Sequence, residues 1–396
     1  MAYATIRAAA LHVGVPVETI RQWEKKGLVQ AHAQYPERVF AVDSLIRLRN
    51  SLHATDAQRP VPILSSARTP YTVIELFAGA GGLALGLANA GLMTQLLVEH
   101  NRDAAATLRA NRPDWPVVCD DVHHVVFGAY AGKIDVVAGG FPCQAFSYAG
   151  KGLGFADTRG TLFFQFARCV EEVAPKIVLA ENVRGLLRHD HGRTLATMVG
   201  ALERLGYRVA YHVLRAQFYD VPQKRERLVL IGLRNDCPVA VQFPAPQPYV
   251  LSLARALVDC PDSVGARYPT RKHDVLARVP PGGNWRDLPA DMQQSYMGSS
   301  LYQCGGKTGV ARRLAWNEPS LTLTCSPAQR QTERCHPDET RPLTCREYAR
   351  IQTFPDNWSF AGSVASQYRQ IGNAVPVNLG YHIGSSVVAL LRDTSS

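Results

Sequence analysis

The chain predicts an α/β protein built on a mostly parallel sheet with helices on both faces. Three observations carry this. Apolar strand-like runs alternate with helical patterns from Tyr71 to about Asn235. A glycine-rich turn, Gly79-Ala80-Gly81-Gly82, links the first of these strands to the first helix. Helical patterning then returns from Arg341 after an irregular, proline-rich interruption.

The strand candidates are 72–76, 95–98, 134–138, 176–180, 208–214 and 227–233, with a short strand around Val117. The helices fit 82–90, 103–110, 160–173 and 192–205. Residues 71–235 form the sheet unit on this reading. Prolines 238, 244, 246 and 248 open a second, irregular domain, 236–340, and residues 341–396 return to the first. Residues 1–56 read as a small helical unit. A helix begins at Ala8–Leu11, Gly14 turns the chain, and Pro16–Trp23 begins a second helix that Gly27 stops. Residues 57–70 lack periodicity and read as a linker. A chain begun at Ala67 is therefore expected to keep the sheet unit intact.

The 396 residues are 46% hydrophobic and hold 43 Lys and Arg against 33 Asp and Glu, a net charge of +10. That balance suits a polyanionic partner and equally a solvated basic surface. There is no run of about 18 apolar residues to suggest a membrane span, and no secretory leader pattern, so a cytoplasmic address is expected. The nine cysteines form no CxxC pair, and Cys325, Cys335 and Cys345 lack zinc-ligand spacing. Eight read as reduced, mostly structural thiols.

Cys143 is the exception. It follows the strand 134–138 in Gly139-Gly140-Phe141-Pro142-Cys143-Gln144, where Pro142 restricts the backbone and the glycines admit a close approach. Glu181 ends another strand. Arg225 and Arg227 lie two apart at the start of a third and are expected to point the same way. The Gly79–Gly82 turn departs from GxGxxG spacing. With Glu99 ending the second strand and Asp121 following the third, it suits an adenosine carrying a positive group better than a pyrophosphate.

The ordered series ELFAGAGG, VEH, DDV, GGFPCQAFS, RGTLFF, ENV, QKRER, REYARIQTFP and QIGNAVPV resembles the bacterial DNA (cytosine-5) methyltransferases over Tyr71 to about Leu391. The resemblance implies a Rossmann-like S-adenosylmethionine-dependent fold, with methylation of an everted cytosine in duplex DNA. It implies a cofactor pocket of Phe77, Ala78, Gly79, Ala80, Gly81, Gly82, Glu99, His100, Asp121, Val122, Gly140, Pro142 and Leu162, closed by Asn373, Ala374 and Val375. Glu75 stands where Asp is commoner, and His100 where Trp often stacks on adenine.

Carbon 5 of cytosine is a poor nucleophile. Thiolate addition at carbon 6 makes the ring an enamine that reacts at carbon 5. Cys143 is the expected thiolate. Glu181, protonated in a buried pocket, is the expected donor to ring nitrogen 3. Arg227 is expected to hold O2, and Arg225 to support Glu181 or the adjoining loop. The stretch 144–159 reads as a closing loop, with Gln144, Ser147, Lys151 and Arg159 as DNA contacts. Arg286, Arg312, Arg313 and Arg330 are expected contacts in the irregular, target-recognising domain.

The N-terminal pattern AAALHVGVPVETIRQWEKKGLV resembles the helix-turn-helix of MerR-like and excisionase-like modules, implying that Glu18, Thr19 and Arg21 face a major groove. This would offer promoter DNA as a second partner, beside a cognate restriction endonuclease, in a bacterial cytoplasm near the nucleoid. Two other readings stand beside this one: a transfer-RNA cytosine methyltransferase, and a transcriptional regulator on an inert methyltransferase scaffold.

Overall fold

Strand residues that alternate between two apolar faces build the centre of the molecule. The computed structural model describes residues 3–15, 17–25, 28–31, 39–54, 59–141, 162–298, 301, 308–329 and 331–394. The first sheet strand, β3 (Thr72–Leu76), comes after β1 (Tyr3–Thr5) and β2 (Val39–Ala41) of the N-terminal unit. It is followed by β4 (Met93–Val98), β5 (Val117–Val118), β6 (Val136–Gly139), β7 (Ile177–Val183), β8 (Tyr207–Arg215), β9 (Gln223–Lys224) and β10 (Glu226–Arg234). Among the described residues, one seven-stranded sheet runs β5-β4-β3-β6-β7-β10-β8. The first five strands are parallel. β10 is antiparallel to both β7 and β8, pairing Arg227 with Val183 and Leu214.

The two faces follow from period-2 alternation. Val73, Val136, Ile177 and Ile231 enter one core, and Ile74, Val137, Val178 and Leu230 the other. α4 (Gly82–Asn89) covers the first face together with α13 (Val377–Asp393), the last helix of the chain. On the second face lie α6 (Leu162–Val173) and α7 (Arg193–Arg204). α5 (Arg102–Asn111) packs at the sheet edge, in a third core with α11 (Cys345–Ile351) and α12 (Val364–Asn373). The chain leaves β3 toward β4 and β5, then returns to β6 and β7 on the other side. That reversal opens a crevice beyond the carboxyl ends of β3 and β6.

α4 and α13 meet through glycine. A Cβ on Gly86 would stand 2.6 Å from the Gly380 backbone, and one on Gly384 would stand 2.7 Å from Ala90 Cβ. The stretch Val364–Asp393 reaches a mean hydropathy of 1.4, yet 72% of its most apolar window is buried. It is also divided between α12 and α13 by Ala374–Pro376, so its apolar residues belong to the protein core.

The irregular region divides differently from the expected 236–340. Cys237 and Val250 join the first sheet core, while Leu253 and Ala256 of α8 (Leu253–Leu257) join the third. A separate core holds Val275 and Leu276 of α9 (Thr270–Leu276), Met297 of α10 (Ala290–Met297), Trp285, Leu288, Ala311 and Cys335. β11 (Ser320–Leu321) ties this region to β9 in parallel register.

The N-terminal unit has its own core of Ala9, Val13, Ile20, Trp23, Phe40 and Leu45, from α1 (Ile6–Val13), α2 (Val17–Lys25), β2 and α3 (Val42–Ala54). β1 and β2 pair antiparallel. Gly14 ends α1 at φ 73°, its N–H donating to Ala10 O. Gly27 lies outside the described residues. Thr19 is fully buried, which corrects the expectation that it faces a groove. Glu18 and Arg21 are exposed and pair with each other at 3.3 Å.

Residues 59–70 differ from a free linker as well. Arg255 donates to Arg59 O and Pro60 O, Asn378 donates to Pro62 O, and Leu64 N donates to Asn378 Oδ1. Ser66 N donates to Asn89 O, and Thr69 N to Gly91 O. The segment is a strap across α4, α8 and α13, and a chain begun at Ala67 would lose most of it. Deleting residues 1–58 is expected to leave the urea midpoint of the remaining body unchanged. Deleting 1–70 should lower stability by about 1–3 kcal/mol for each buried partner left bare. Gly86→Ala should force α4 from α13 and lower stability by about 1–3 kcal/mol, read as a fall in Tm.

Candidate active site

The crevice is built from its tightest turn outward. β3 delivers Phe77 at φ 58°, then Gly79 and Gly81 at φ 56° and 86°, and α4 starts at Gly82. Glycine suits the left-handed positions, whereas Phe77 holds its φ at some backbone cost. The Asn373–Val375 turn lies directly over Gly82, where a Cβ would fall 2.2 Å from Val375 O. The expected cofactor residues Phe77, Ala78, Gly79, Gly82, Glu99, His100, Asp121, Val122, Gly140, Leu162, Asn373, Ala374 and Val375 all line this one cleft of about 790 Å³. Ala80 and Gly81 complete the turn beneath it. Pro142 lies outside the described residues.

Glu99 is fixed by backbone donors. Gly79 N reaches its Oε2 at 2.8 Å, and Asn101 N its Oε1 at 2.7 Å. Each oxygen keeps a further lone pair, as ribose hydroxyls need. Asp121 Oδ1 accepts from His123 N at 3.0 Å and meets the His123 ring at 2.6 Å, and these contacts hold its carboxyl below the usual range. Glu75 is buried on the same cleft, and its Oε2 lacks a hydrogen-bond partner among the described residues. Burial first, then the charges of Glu181 and Glu99, push its carboxyl well above the ordinary 4.5. A cationic amino group is the partner such an oxygen lacks. The acidic, glycine-floored cleft therefore fits S-adenosylmethionine.

The other end of the site lies where β6 and β7 finish and β10 begins. Glu181 and Arg227 are nearly buried, with Arg227 Nε 2.5 Å from Glu181 Oε1. The acid expected to act as proton donor from a buried pocket thus lies against a guanidinium. Gly140 leaves room for it, since a Cβ there would stand 3.1 Å from Glu181 Oε2. Asn182 was quoted within ENV without a role, and it has one. It donates to Phe141 O at 2.9 Å and accepts from Val183 N, fixing the backbone just before the Pro142-Cys143 step. Cys143, Gln144, Ser147, Lys151, Arg159 and Arg330 lie outside the described residues.

Arg225, grouped with the catalytic residues and expected to support Glu181 or the adjoining loop, serves backbone carbonyls. It is 1% exposed and donates to Leu323 O, Gly372 O and Ala374 O at 3.0–3.2 Å. Strand alternation does not govern it, because β10 begins one residue later. Arg313 is also corrected: it is buried and its guanidinium serves Leu276 O, Val279 O, His336 O and Thr340 Oγ1, so it braces the irregular domain instead of reaching DNA. Arg312 is mostly buried and pairs with Glu318 at 3.4 Å. Arg286 is exposed, its guanidinium 5.3 Å from the Trp285 ring. Ser366, Arg369 and Gln370 line the cleft from α12, and the sequence carries no signal for them beyond their nearness to Asn373.

The chain matches the family described as C-5 cytosine-specific DNA methylase over residues 71–389. It is 54% identical to the type II methyltransferase M.Eco47II of Escherichia coli, over 96% of this chain and 94% of that one. It is 57% identical to the type II methyltransferase M.PspPI of Psychrobacter sp. (strain TA137), over 81% and 80%. A DNMT2 mutant from Spodoptera frugiperda shares the fold at a TM-score of 0.57 and 15% identity, over 82% of this chain and all of that one. With the motifs in order, the cleft assembled and the match spanning both, the chain belongs to the C-5 cytosine-specific DNA methylases.

Proposed function

We propose that this chain methylates carbon 5 of a cytosine everted from a short duplex DNA site, with Cys143, Glu181 and Arg227 as the reacting residues. The observation that carries this reading is the Glu181–Arg227 pair, 2.5 Å apart beside the cofactor cleft and against Gly140. S-adenosylmethionine would supply a methyl group activated on a sulfonium, whose sulfur keeps the bonding electrons and leaves as the thioether S-adenosylhomocysteine. Glu99 and Asp121 would hold its ribose and adenine, and Glu75 its amino group.

Cys143 as thiolate adds to carbon 6, and the ring's electrons shift toward nitrogen 3. The O2 and N3 edge of the base replaces the Glu181–Arg227 contact: Arg227 donates to O2, and Glu181 gives its proton to N3. Carbon 5 takes the methyl group and then loses its hydrogen as a proton to water. The electron pair left behind expels Cys143 from carbon 6 as thiolate, and N3 returns its proton to Glu181. Eversion costs a few kcal/mol, which the loop bearing Gln144 and Ser147 and contacts to the duplex would offset. The type II relatives support a place in a restriction–modification system, with a cognate endonuclease encoded alongside. The helix-turn-helix resemblance supports promoter DNA as a second ligand of α2, through Glu18 and Arg21.

A duplex carrying 5-fluorocytosine at the site found by bisulfite sequencing should trap the enzyme covalently in the presence of S-adenosylmethionine, with the crosslink at Cys143. A crosslink on another side chain, or methyl transfer to transfer RNA but not to duplex DNA, would overturn the reading. Glu181→Gln should lower turnover by about 10²–10⁴-fold while sparing cofactor affinity. Arg225→Met should instead behave as a folding mutant, losing about 1–3 kcal/mol for each carbonyl left bare, whereas Arg227→Met should lose turnover beyond what its fall in Tm explains.

Glu75 gives a pH test. Its folded pKa is raised, so its contribution is complete below the ordinary value near 4.5 and lost as pH rises toward the folded value. Glu75→Gln should therefore raise the cofactor-free Tm at pH 7, lose that advantage toward pH 4, and weaken cofactor binding.

A further inference from the structure

The N-terminal unit does not stand clear of the reacting residues. α1 and the Gly14 turn form one wall of a cleft of about 900 Å³. The end of β7, the β9–β10 corner and residues 317–319 form the other. Val183 and Arg227 line this cleft and the cofactor cleft alike, so the two meet at the Glu181–Arg227 pair.

The cleft is strongly basic. Arg7 and Arg49 enter it from the N-terminal unit, and Arg184, Arg215 and Lys224 from the body. Its two carboxylates each pair with cations of the body. Glu226 meets Arg184 at 2.7 Å and Arg215 at 3.2 Å, while Glu318 meets Lys224 and Arg312. Arg7 and His12 are exposed on the α1 side. The expected groove-reading residues Glu18 and Arg21 are not among the lining residues. Among the described residues, Gln217 Nε2 of the body donates to Gly14 O of the unit at 3.3 Å.

We infer that the α1 edge of the N-terminal unit is the second wall of the DNA channel, where Arg7 holds a backbone phosphate of the same duplex whose cytosine is everted at Glu181. A row of phosphates is the partner that fits a cationic cleft ending at a base-binding pair. The unit then raises affinity for the methylation substrate in cis, through α1 and the turn, and leaves the exposed face of α2 for other contacts. This rests on the catalytic reading of Glu181 and Arg227.

The test uses the full chain and a duplex of about three helical turns containing the mapped site, bound with S-adenosylhomocysteine between about 50 and 200 mM salt. Arg7→Ala should weaken binding of matched and unmatched duplexes alike, and should reduce the slope of log K against log salt by about 1. Arg47→Ala, outside the cleft, should match wild type. An unchanged affinity and slope in Arg7→Ala would overturn the inference. So would a higher kcat/KM on Arg7→Glu, the mark of a wall that obstructs DNA. Wild-type protein that fails to crosslink 5-fluorocytosine would instead overturn the catalytic reading, so the two failures are distinguishable.

Discussion

A guanidinium sealed inside the protein governs the arrangement of the site. Arg225 gives its protons to carbonyls of Leu323, Gly372 and Ala374, residues that lie 98 to 149 positions away. Taking that charge out of water is costly, and burial, with the repulsion of Arg227, lowers its pKa to about 9. Carbonyl dipoles from two other parts of the chain offset the cost only when all parts are in place. Gln352 strengthens the same junction by donating to Ile371 O and Ala374 O, and is itself held by Gln223. The turn over Gly82, the edge of the irregular domain and the start of β10 are therefore positioned together.

The site inherits its geometry from that junction. β10 leaves the clamp and pairs with β7 so that Arg227 faces Val183 and, through the adjoining carboxylate, Glu181. Asn182 holds the chain at Phe141 on the neighbouring strand end. The cofactor cleft and the basic cleft share Val183 and Arg227 in their walls. The strap 59–70 holds α4 and α13 on the far side, where glycine allows the helices to touch.

Much of the framework was legible because it rests on local rules. Alternating apolar residues marked every long strand, and the Gly79–Gly82 turn marked the crevice. The buried arginines were not legible. Arg225 and Arg313 sit in basic runs that resemble solvated or DNA-facing surface, and only their carbonyl partners, distant in sequence, reveal a structural role. Thr19 reads as polar and outward on a helical repeat, yet packing places it in a core. Residues 59–70 looked unstructured because their bonds run to other elements and leave no period in the chain.

The sequence alone determined the α/β class, the family and the residues that line the cofactor cleft, because strand period, turn glycines and motif order are properties of neighbouring residues. Tertiary structure decided which charges pair. It drew Glu181 to Arg227, withdrew Arg225 and Arg313 from the surface, and set the N-terminal unit beside that pair. Those outcomes depend on how far each charge is removed from water and which dipoles surround it, and that is defined only once distant segments have packed.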